Sequence, residues 1–383
     1  MMVGNKRKEQ SMQLGRRLIR LALMLALASV SISHMPAALT IGSHVDRIIH
    51  YDGTKTCLRC HQEEAKQMHS SVHYQWQGST RDIVGAQSPL GGKWGGFNDF
   101  CIYPNINWLS KLTNVYGQDV DGGCARCHAG LGLKPTATAT QEQLENIDCL
   151  VCHSDEYKRT VANVNGVWKL VPDTANMSVT LLQAAQNVKI PSSGACLNCH
   201  TKSGGGNNNK RGDLEEAHRS ATRDFDVHLA SRANGGAGLT CVNCHGAENH
   251  RIAGRGIDLK PRDTTAVLNC TKCHPAAPHG NSKLDRHTAR LNCTVCHIPY
   301  YAKVAPTDME RDYSQPAEIV AATGLYEPHM LKEGQVEPEY VFWNGKSKFY
   351  EFNQPVAPGP NGRQLMAGPL GCAPPAVPGE LAA

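Results

Sequence analysis

The hydrophobic and polar pattern predicts short elements joined by long irregular connections. Near the start, Lys6, Arg7, Lys8, Arg16, Arg17 and Arg20 precede an apolar stretch from Leu21 to Ile32, and Ala37 and Ala38 follow it. The stretch is shorter than the roughly 20 residues that a spanning helix needs, so residues 1–38 read as a cleaved secretory signal. Arg16-Arg17 has flanks that fit a twin-arginine signal poorly, and general secretion is the better reading. Downstream, helical signals are local: Gln62 to Gln77, Gln141 to Ile147, and Leu214 to His218, the last after a Gly/Asn-rich loop at 204–209. Strand signals are scarce. The expected fold class is mostly α and irregular with little β, over one domain at 39–366 that contains an aromatic patch (Tyr340, Phe342, Trp343, Phe349, Tyr350 and Phe352). Residues 367–383, rich in Ala and Pro, read as a disordered tail.

Composition sharpens this picture. Only 6% of the 383 residues are aromatic and 36 are Gly, so side chains alone supply little with which to fill several cores. Residues 1–38 account for the formal charge of +5, leaving a mature chain near neutrality. That balance does not suggest nucleic-acid binding.

The cysteines explain what fills the interior. Fourteen of the sixteen fall in seven copies of Cys-x-x-Cys-His. These are Cys57/Cys60/His61, Cys124/Cys127/His128, Cys149/Cys152/His153, Cys196/Cys199/His200, Cys241/Cys244/His245, Cys270/Cys273/His274 and Cys293/Cys296/His297. A zinc half-site or a redox dithiol would account for a bare Cys-x-x-Cys, but neither requires a histidine after every pair. The pentapeptide is the c-type haem attachment site, with two thioether-forming thiols and a proximal iron ligand. Seven covalent haems c are therefore expected, wrapped by one continuous polypeptide and close to one another. The motifs have no fixed period, so the chain is not a solenoid of equal units. Haem c is attached outside the cytoplasm, which agrees with an exported, periplasmic protein that is not an integral membrane protein after signal cleavage.

A haem with two strong axial ligands transfers electrons, whereas one with an open or weakly held sixth position binds substrate. Outside the motifs the mature chain offers His44, His50, His69, His73, His218, His228, His250, His279, His287 and His329. Distal ligands are expected among those from His69 to His287: His69, His73, His218, His228, His250, His279 and His287. His69 and His73 stand four apart on the first predicted helix, on one face, within reach of two different haems.

Several segments resemble the octahaem tetrathionate reductase family: Phe97-Asn98-Asp99-Phe100-Cys101, Cys124 to Gly130, Asp148 to His153, Gly204 to Leu214, and Arg223-Asp224-Phe225-Asp226-Val227-His228. The likeness runs over roughly residues 50–370. It implies a periplasmic reductase acting on tetrathionate, nitrite or hydroxylamine, fed through bis-histidine haems by a redox partner protein or quinol-linked cytochrome. It also implies that the second haem, on His128, is the reaction centre with a lysine as distal ligand. Lys189 is the first candidate and Lys158 the second; a buried amine with a lowered pKa would suit the role. Cys101 matches the family's active-site cysteine, where a thiolate would exchange with a sulfur substrate or gate the iron. The family has eight motifs and this chain seven, so a truncated or frame-shifted C-terminus is expected to have cost the eighth haem. The alternative function is a non-catalytic electron conduit in which every haem is doubly ligated.

Overall fold

The computed structural model describes residues 44–92, 94, 107–201, 207–208, 214–254 and 268–340, and the backbone of short strands at 347–348 and 381–382. The signal segment at 1–38, Cys101, and all but 381–382 of the 367–383 tail lie outside these residues, as do the residues of the aromatic patch beyond Tyr340.

The attachment motifs are themselves the seeds of secondary structure. Each folds into about one helical turn, as in Leu150–His153, Ser193–His200, Cys241–Cys244 and Thr294–His297. Cysteines three apart and a histidine four from the first share one side of such a turn, so the spacing turns all three side chains the same way. The histidine N–H closes an α-type bond to the carbonyl of the first cysteine at His61, His153, His245, His274 and His297, at 2.8–3.1 Å, and in the fourth motif Cys196 and His200 lie within one α-helix, Ser193–His200. His128 differs. Its N–H bonds to Ala125 O at 2.9 Å after a 3₁₀ turn, Cys124–Cys127, and its own backbone is extended (φ −71°, ψ 143°).

The long helix expected from Gln62 to Gln77 is two helices, Gln62–His69 and Val72–Gln75. The break falls at Ser70-Ser71, where the Ser70 hydroxyl donates to Gln67 O (2.9 Å) and Ser71 is extended (φ −81°, ψ 157°). Serines compete for backbone groups in this way and end helices. In consequence His69 and His73 do not share one helix face. The second predicted helix is Gln141–Glu145, with the Thr140 hydroxyl accepting from Gln143 N–H at its start. The third is a 3₁₀ segment, Glu216–Ser220.

Strands occur as two-stranded ribbons. The longest antiparallel pair joins Arg159–Val164 to Val167–Pro172 through Asn165-Gly166, both at positive φ (54° and 84°). That dipeptide suits the left-handed two-residue turn a tight hairpin requires. A second, Thr307–Asp312 with His329–Glu333, follows the last motif. At the tail, Ser347–Lys348 pair in parallel with Leu381–Ala382. The fold is mostly helical and irregular with small sheets. Among the described residues no helix is long and apolar enough to cross a membrane.

Three apolar clusters occur in the part of the chain between Ile48 and Val188. Leu58, Ala65, Tyr74, Leu144 and Ile147 pack beneath the first and third motifs, and Leu109, Ala125, Val161 and Leu170 behind the second. Leu150, Tyr157, Ala184 and Ala185 form the third cluster. Through 268–300, by contrast, side chains are largely exposed, as the shortage of aromatic residues foreshadows.

Candidate haem centres

The motif cysteines form a connected series. Thiol hydrogen bonds join Cys57 to Cys149, Cys127 to Cys199, Cys196 to Cys241, and Cys270 to Cys293. Cys152 acts electrostatically on Cys196, and Cys273 on Cys244. The first motif therefore neighbours the third, the third the fourth, the fourth the fifth, and so on to the seventh, with the second joined at the fourth. Chain order and spatial order differ.

Cys60 lies at the surface of the first attachment site. It is exposed, while Cys57 of the same motif is half-buried and meets Cys149. The cause is local: the helix Thr54–Leu58 buries Thr54, Thr56 and Leu58, and it ends before Cys60, which follows on the solvent side with its N–H bonded to Cys57 O at 3.1 Å. His61 is exposed with it. A thioether needs only the sulfur at the right spacing, so Cys60 keeps its place as a haem-binding residue, at an edge of the first site that faces water.

The histidines pair in a way that matches axial ligation. Two imidazoles sharing one metal ion, each nitrogen about 2 Å from it, place their ring centres roughly 6 Å apart. Five pairs have this spacing: His44 with His61 at 6.2 Å, His73 with His200 at 6.3 Å, His153 with His250 at 6.4 Å, His228 with His274 at 6.1 Å, and His279 with His297 at 6.0 Å. Each joins one motif histidine to one outside the motifs. His44 and His73 also hold a buried Nδ1 with no hydrogen-bond partner.

Several of these rings are anchored from behind. Nδ1 of His153 lies 2.8 Å from Lys189 O, Nδ1 of His245 lies 2.9 Å from Ala253 O, and Nδ1 of His279 lies 3.2 Å from the Asp285 carboxylate. Nδ1–H donation to such acceptors fixes the tautomer that leaves Nε2 free for a metal. The sulfurs, the paired imidazoles and these anchors together fit c-type haem.

Among the expected distal residues, His73, His228, His250 and His279 each face a motif histidine. His69 instead is buried against the Tyr74 ring (5.2 Å), with its carbonyl accepting from Gln75 Nε2 (2.8 Å). His218 lies edge-on to Phe225, at 4.8 Å, and His287 is exposed on the helix Ser282–Thr288. The preferred range from His69 onward omits His44, although His44 is in the histidine pool and stands opposite His61. Its remoteness from any helical signal gave no reason to choose it.

His128 has different surroundings. It is fully buried, and the rings of Tyr74, Trp108 and Trp76 stand 5.0, 5.2 and 5.3 Å from it. Nε2 lies 2.5 Å from Tyr74 O, and Nδ1 is buried without a partner. Burial lowers its pKa to about 4, helped by the nearby Arg159 charge and opposed by the Tyr74 carbonyl. The imidazole is thus neutral at ordinary pH, the form that binds metals. Tyr74 is itself held by its hydroxyl, which donates to Gln143 and accepts from Asn146 Nδ2 (2.8 Å).

Arg159, at the start of the long ribbon, clamps the backbone around this histidine. Its Nη2 donates to Arg126 O (2.9 Å) and His128 O (2.7 Å), and its Nη1 pairs with the Asp148 carboxylate at 3.0 Å. Both side chains of the pair are buried. Burial pushes the Asp148 carboxyl up, and Arg159 pulls it back. Two glycines permit the close packing: Gly123 (φ 95°), where a Cβ would lie 2.5 Å from Trp108 O, and Gly130, where a Cβ would lie 2.8 Å from the His128 ring.

Lys189 is placed at the third motif. Its carbonyl serves His153, and its amine forms a 2.7 Å ion pair with Asp155, which raises the lysine above its ordinary pKa. Lys158 is exposed, with its carbonyl accepting from Asp173 N–H at 2.9 Å. Neither contact brings a lysine amine to His128.

No family model matches the chain. An uncharacterised protein from Archaeoglobus fulgidus is 32% identical over 249 residues, covering 56% of this chain and 80% of that protein. The crystal structure of octaheme cytochrome c from Shewanella oneidensis matches with a TM-score of 0.59 and 27% identity, over 80% of this chain. This chain spans 65% of that one. With the attachment motifs and the paired histidines, these likenesses make the chain a multihaem c-type cytochrome, in one family with the Archaeoglobus protein.

Proposed function

We propose that this cytochrome carries seven haems in the periplasm and reduces a small sulfur or nitrogen compound, of the tetrathionate, nitrite or hydroxylamine class, at the haem held by His128. The observation that carries the reading is the aromatic box around His128, which, among the described residues, neither the five imidazole-paired motif histidines nor His245, anchored on Ala253 O, possesses. Five motif histidines face an imidazole at about 6 Å, whereas His128 is boxed by Tyr74, Trp76 and Trp108 among the described residues.

Haem, when bound, supplies electron storage and a coordination position for a small substrate. The chain's residues do the rest. His128 supplies a neutral imidazole, and Arg159 fixes its backbone through two carbonyls. Tyr74 and the two tryptophans exclude water around the ring. Cys101 is proposed at the substrate face, and the Lys189–Asp155 pair, at the third motif, as a proton store, with Lys158 as the other lysine to test. Electrons would reach this centre from the fourth motif, whose Cys199 meets Cys127.

The five imidazole pairs are also what a pure conduit would contain, so that reading stands second. Electron paramagnetic resonance of the holoprotein separates them. A reductase should show one haem distinct from the bis-histidine set and should oxidise reduced methyl viologen with tetrathionate, nitrite or hydroxylamine. A fully bis-histidine spectrum with no turnover would make it a conduit.

A further inference from the structure

We propose that the sixth and seventh motifs form the electron-exchange end of the molecule, and that a basic stripe beside them docks an acidic redox protein. This rests on the reductase reading above, because it names the partner that exchanges electrons with the centre at His128.

Accessibility falls in the right direction along the series. Cys270, Cys273 and Cys296 are exposed, Cys124 and Cys127 are half-buried, and His128 is buried. Electron transfer between proteins needs a haem edge near the surface, and the sixth motif, with both sulfurs exposed, meets that need best. Cys60 offers a second exposed edge at the first motif beside Arg59, but the charge there is mixed, with Lys55 paired to Glu145, Lys66 to Glu63 and Glu64 beside His61.

The charge beside the sixth and seventh motifs is one-sided. From 268 to 300 the chain carries Lys272, Lys283, Arg286 and Arg290 against a single acid, Asp285. All four basic residues are exposed and none forms an ion pair among the described residues. Asp285 is turned inward, accepting from the N–H groups of His279 and Asn281 (both 3.1 Å).

Helix geometry makes the basic residues a stripe. Asp285 and Thr288 on the helix Ser282–Thr288 face the loop that carries His279, Thr288 donating to Ala276 O at 3.1 Å. At about 100° per residue, Lys283 and Arg286 fall roughly 60° apart on the other side of the turn, and Arg290 follows in the turn just past the helix end, its N–H bonded to His287 O at 2.9 Å. They point away from the ligand loop and toward solvent. Leu284 and Leu291, 46% and 36% exposed, flank the stripe and give an apolar patch with a charged border, the usual make-up of a docking face. The complementary partner is a protein with an acidic rim around its own redox centre, since opposite charges accelerate encounter and orient it.

The test uses the full-length holoprotein and reduced flavodoxin, an acidic one-electron donor, in stopped flow, with a basic cytochrome c as control. The rate with flavodoxin should fall about tenfold or more as ionic strength rises from low to physiological and beyond. The triple reversal Lys283→Glu, Arg286→Glu, Arg290→Glu should slow the low-salt reaction by about tenfold or more, flatten its salt dependence, and favour the basic control. Should that variant lose haem, the neutral set Lys283→Gln, Arg286→Gln, Arg290→Gln should give the same change in smaller measure. Unchanged rates and salt slope in a haem-loaded variant would overturn the proposal. So would shifted potentials of the terminal haems with unaltered docking, which would assign these cations to propionate neutralisation. Turnover driven by reduced methyl viologen bypasses the stripe: if it persists in the variants the reductase reading stands apart from the docking result, and if wild type lacks it that reading alone fails.

Discussion

His73 and His200 stand with ring centroids 6.3 Å apart and planes at 63°, one from a four-residue helix after the first motif and the other from the fourth motif. The pairing ties the chain's first helices to a motif far along the sequence. If the two rings share the fourth haem, as proposed, folding and axial ligation are coupled, because whatever docks the helix Val72–Gln75 would also set the field at that haem.

It follows that His73→Ala should leave the haem count unchanged, because no thioether or proximal ligand is lost, while converting one low-spin haem to high spin. Pyridine haemochrome analysis with intact mass should still give seven haems. Electron paramagnetic resonance should show the new signal. His44→Ala should behave alike at the first motif. Spectra unaltered by both substitutions would mean that the 6 Å spacing does not report ligation.

These pairs also show what the sequence made legible. Cysteine spacing alone revealed the attachment sites, because one helical turn is enough to aim three side chains. It did not reveal that Cys60 faces water while Cys57 faces the core, since the motif reads alike in all seven copies. Which histidine meets which motif depends on contacts between distant segments, and no local pattern encodes them: His44 looked no different from His50. The serine pair at 70 and 71 shows the same limit at short range, since the polar pattern continued as a helix but the Ser70 hydroxyl took a backbone carbonyl and Ser71 turned extended. The Asn165-Gly166 hairpin was readable from its dipeptide and was obscured only by the general scarcity of strand signals. The aromatic box of His128 was not readable, since Tyr74 and Trp76 come from one segment and Trp108 from another.

Removing Arg159 should test the clamp behind that box. Arg159→Ala leaves the Asp148 carboxylate buried without its cation, a change that costs about 3–5 kcal/mol in comparable buried pairs. Urea unfolding of the holoprotein, followed by tryptophan fluorescence, should report a loss of that order. The double variant Arg159→Met, Asp148→Leu should recover much of it. A loss below about 1 kcal/mol would mean that the pair is solvated rather than buried.

Cys101 belongs to no attachment motif, so Cys101→Ser should leave haem content and the spectrum of the paired haems unchanged. If the cysteine lies at the substrate face, reductive turnover of tetrathionate should fall tenfold or more while methyl viologen oxidation with hydroxylamine falls less, because only the sulfur substrate undergoes thiol exchange. Equal turnover in variant and wild type would remove Cys101 from the site.

The Lys189–Asp155 pair sets the last expectation. Burial alone would push the Asp155 carboxyl up, but hydrogen bonds from Lys189 and Ser192 outweigh it and hold the group below its ordinary value of 3.8. A carboxyl depressed in the folded state contributes stability that is fully present above its unfolded pKa and is lost as pH falls through the lower folded value. The pair is partly exposed, so its contribution should be below about 1 kcal/mol. Asp155→Asn should abolish that acid-side dependence and let the Lys189 pKa fall back toward its usual value. While the pair is intact the amine is protonated and has no lone pair to give to iron. At neutral pH Lys189→Ala should therefore leave the haem spectra unchanged, with His153 still anchored by the residue 189 carbonyl. A new high-spin signal in Lys189→Ala would show that the amine leaves Asp155 when haem is bound and would make Lys189 the sixth ligand opposite His128. The same signal in Lys158→Ala alone would give that place to Lys158.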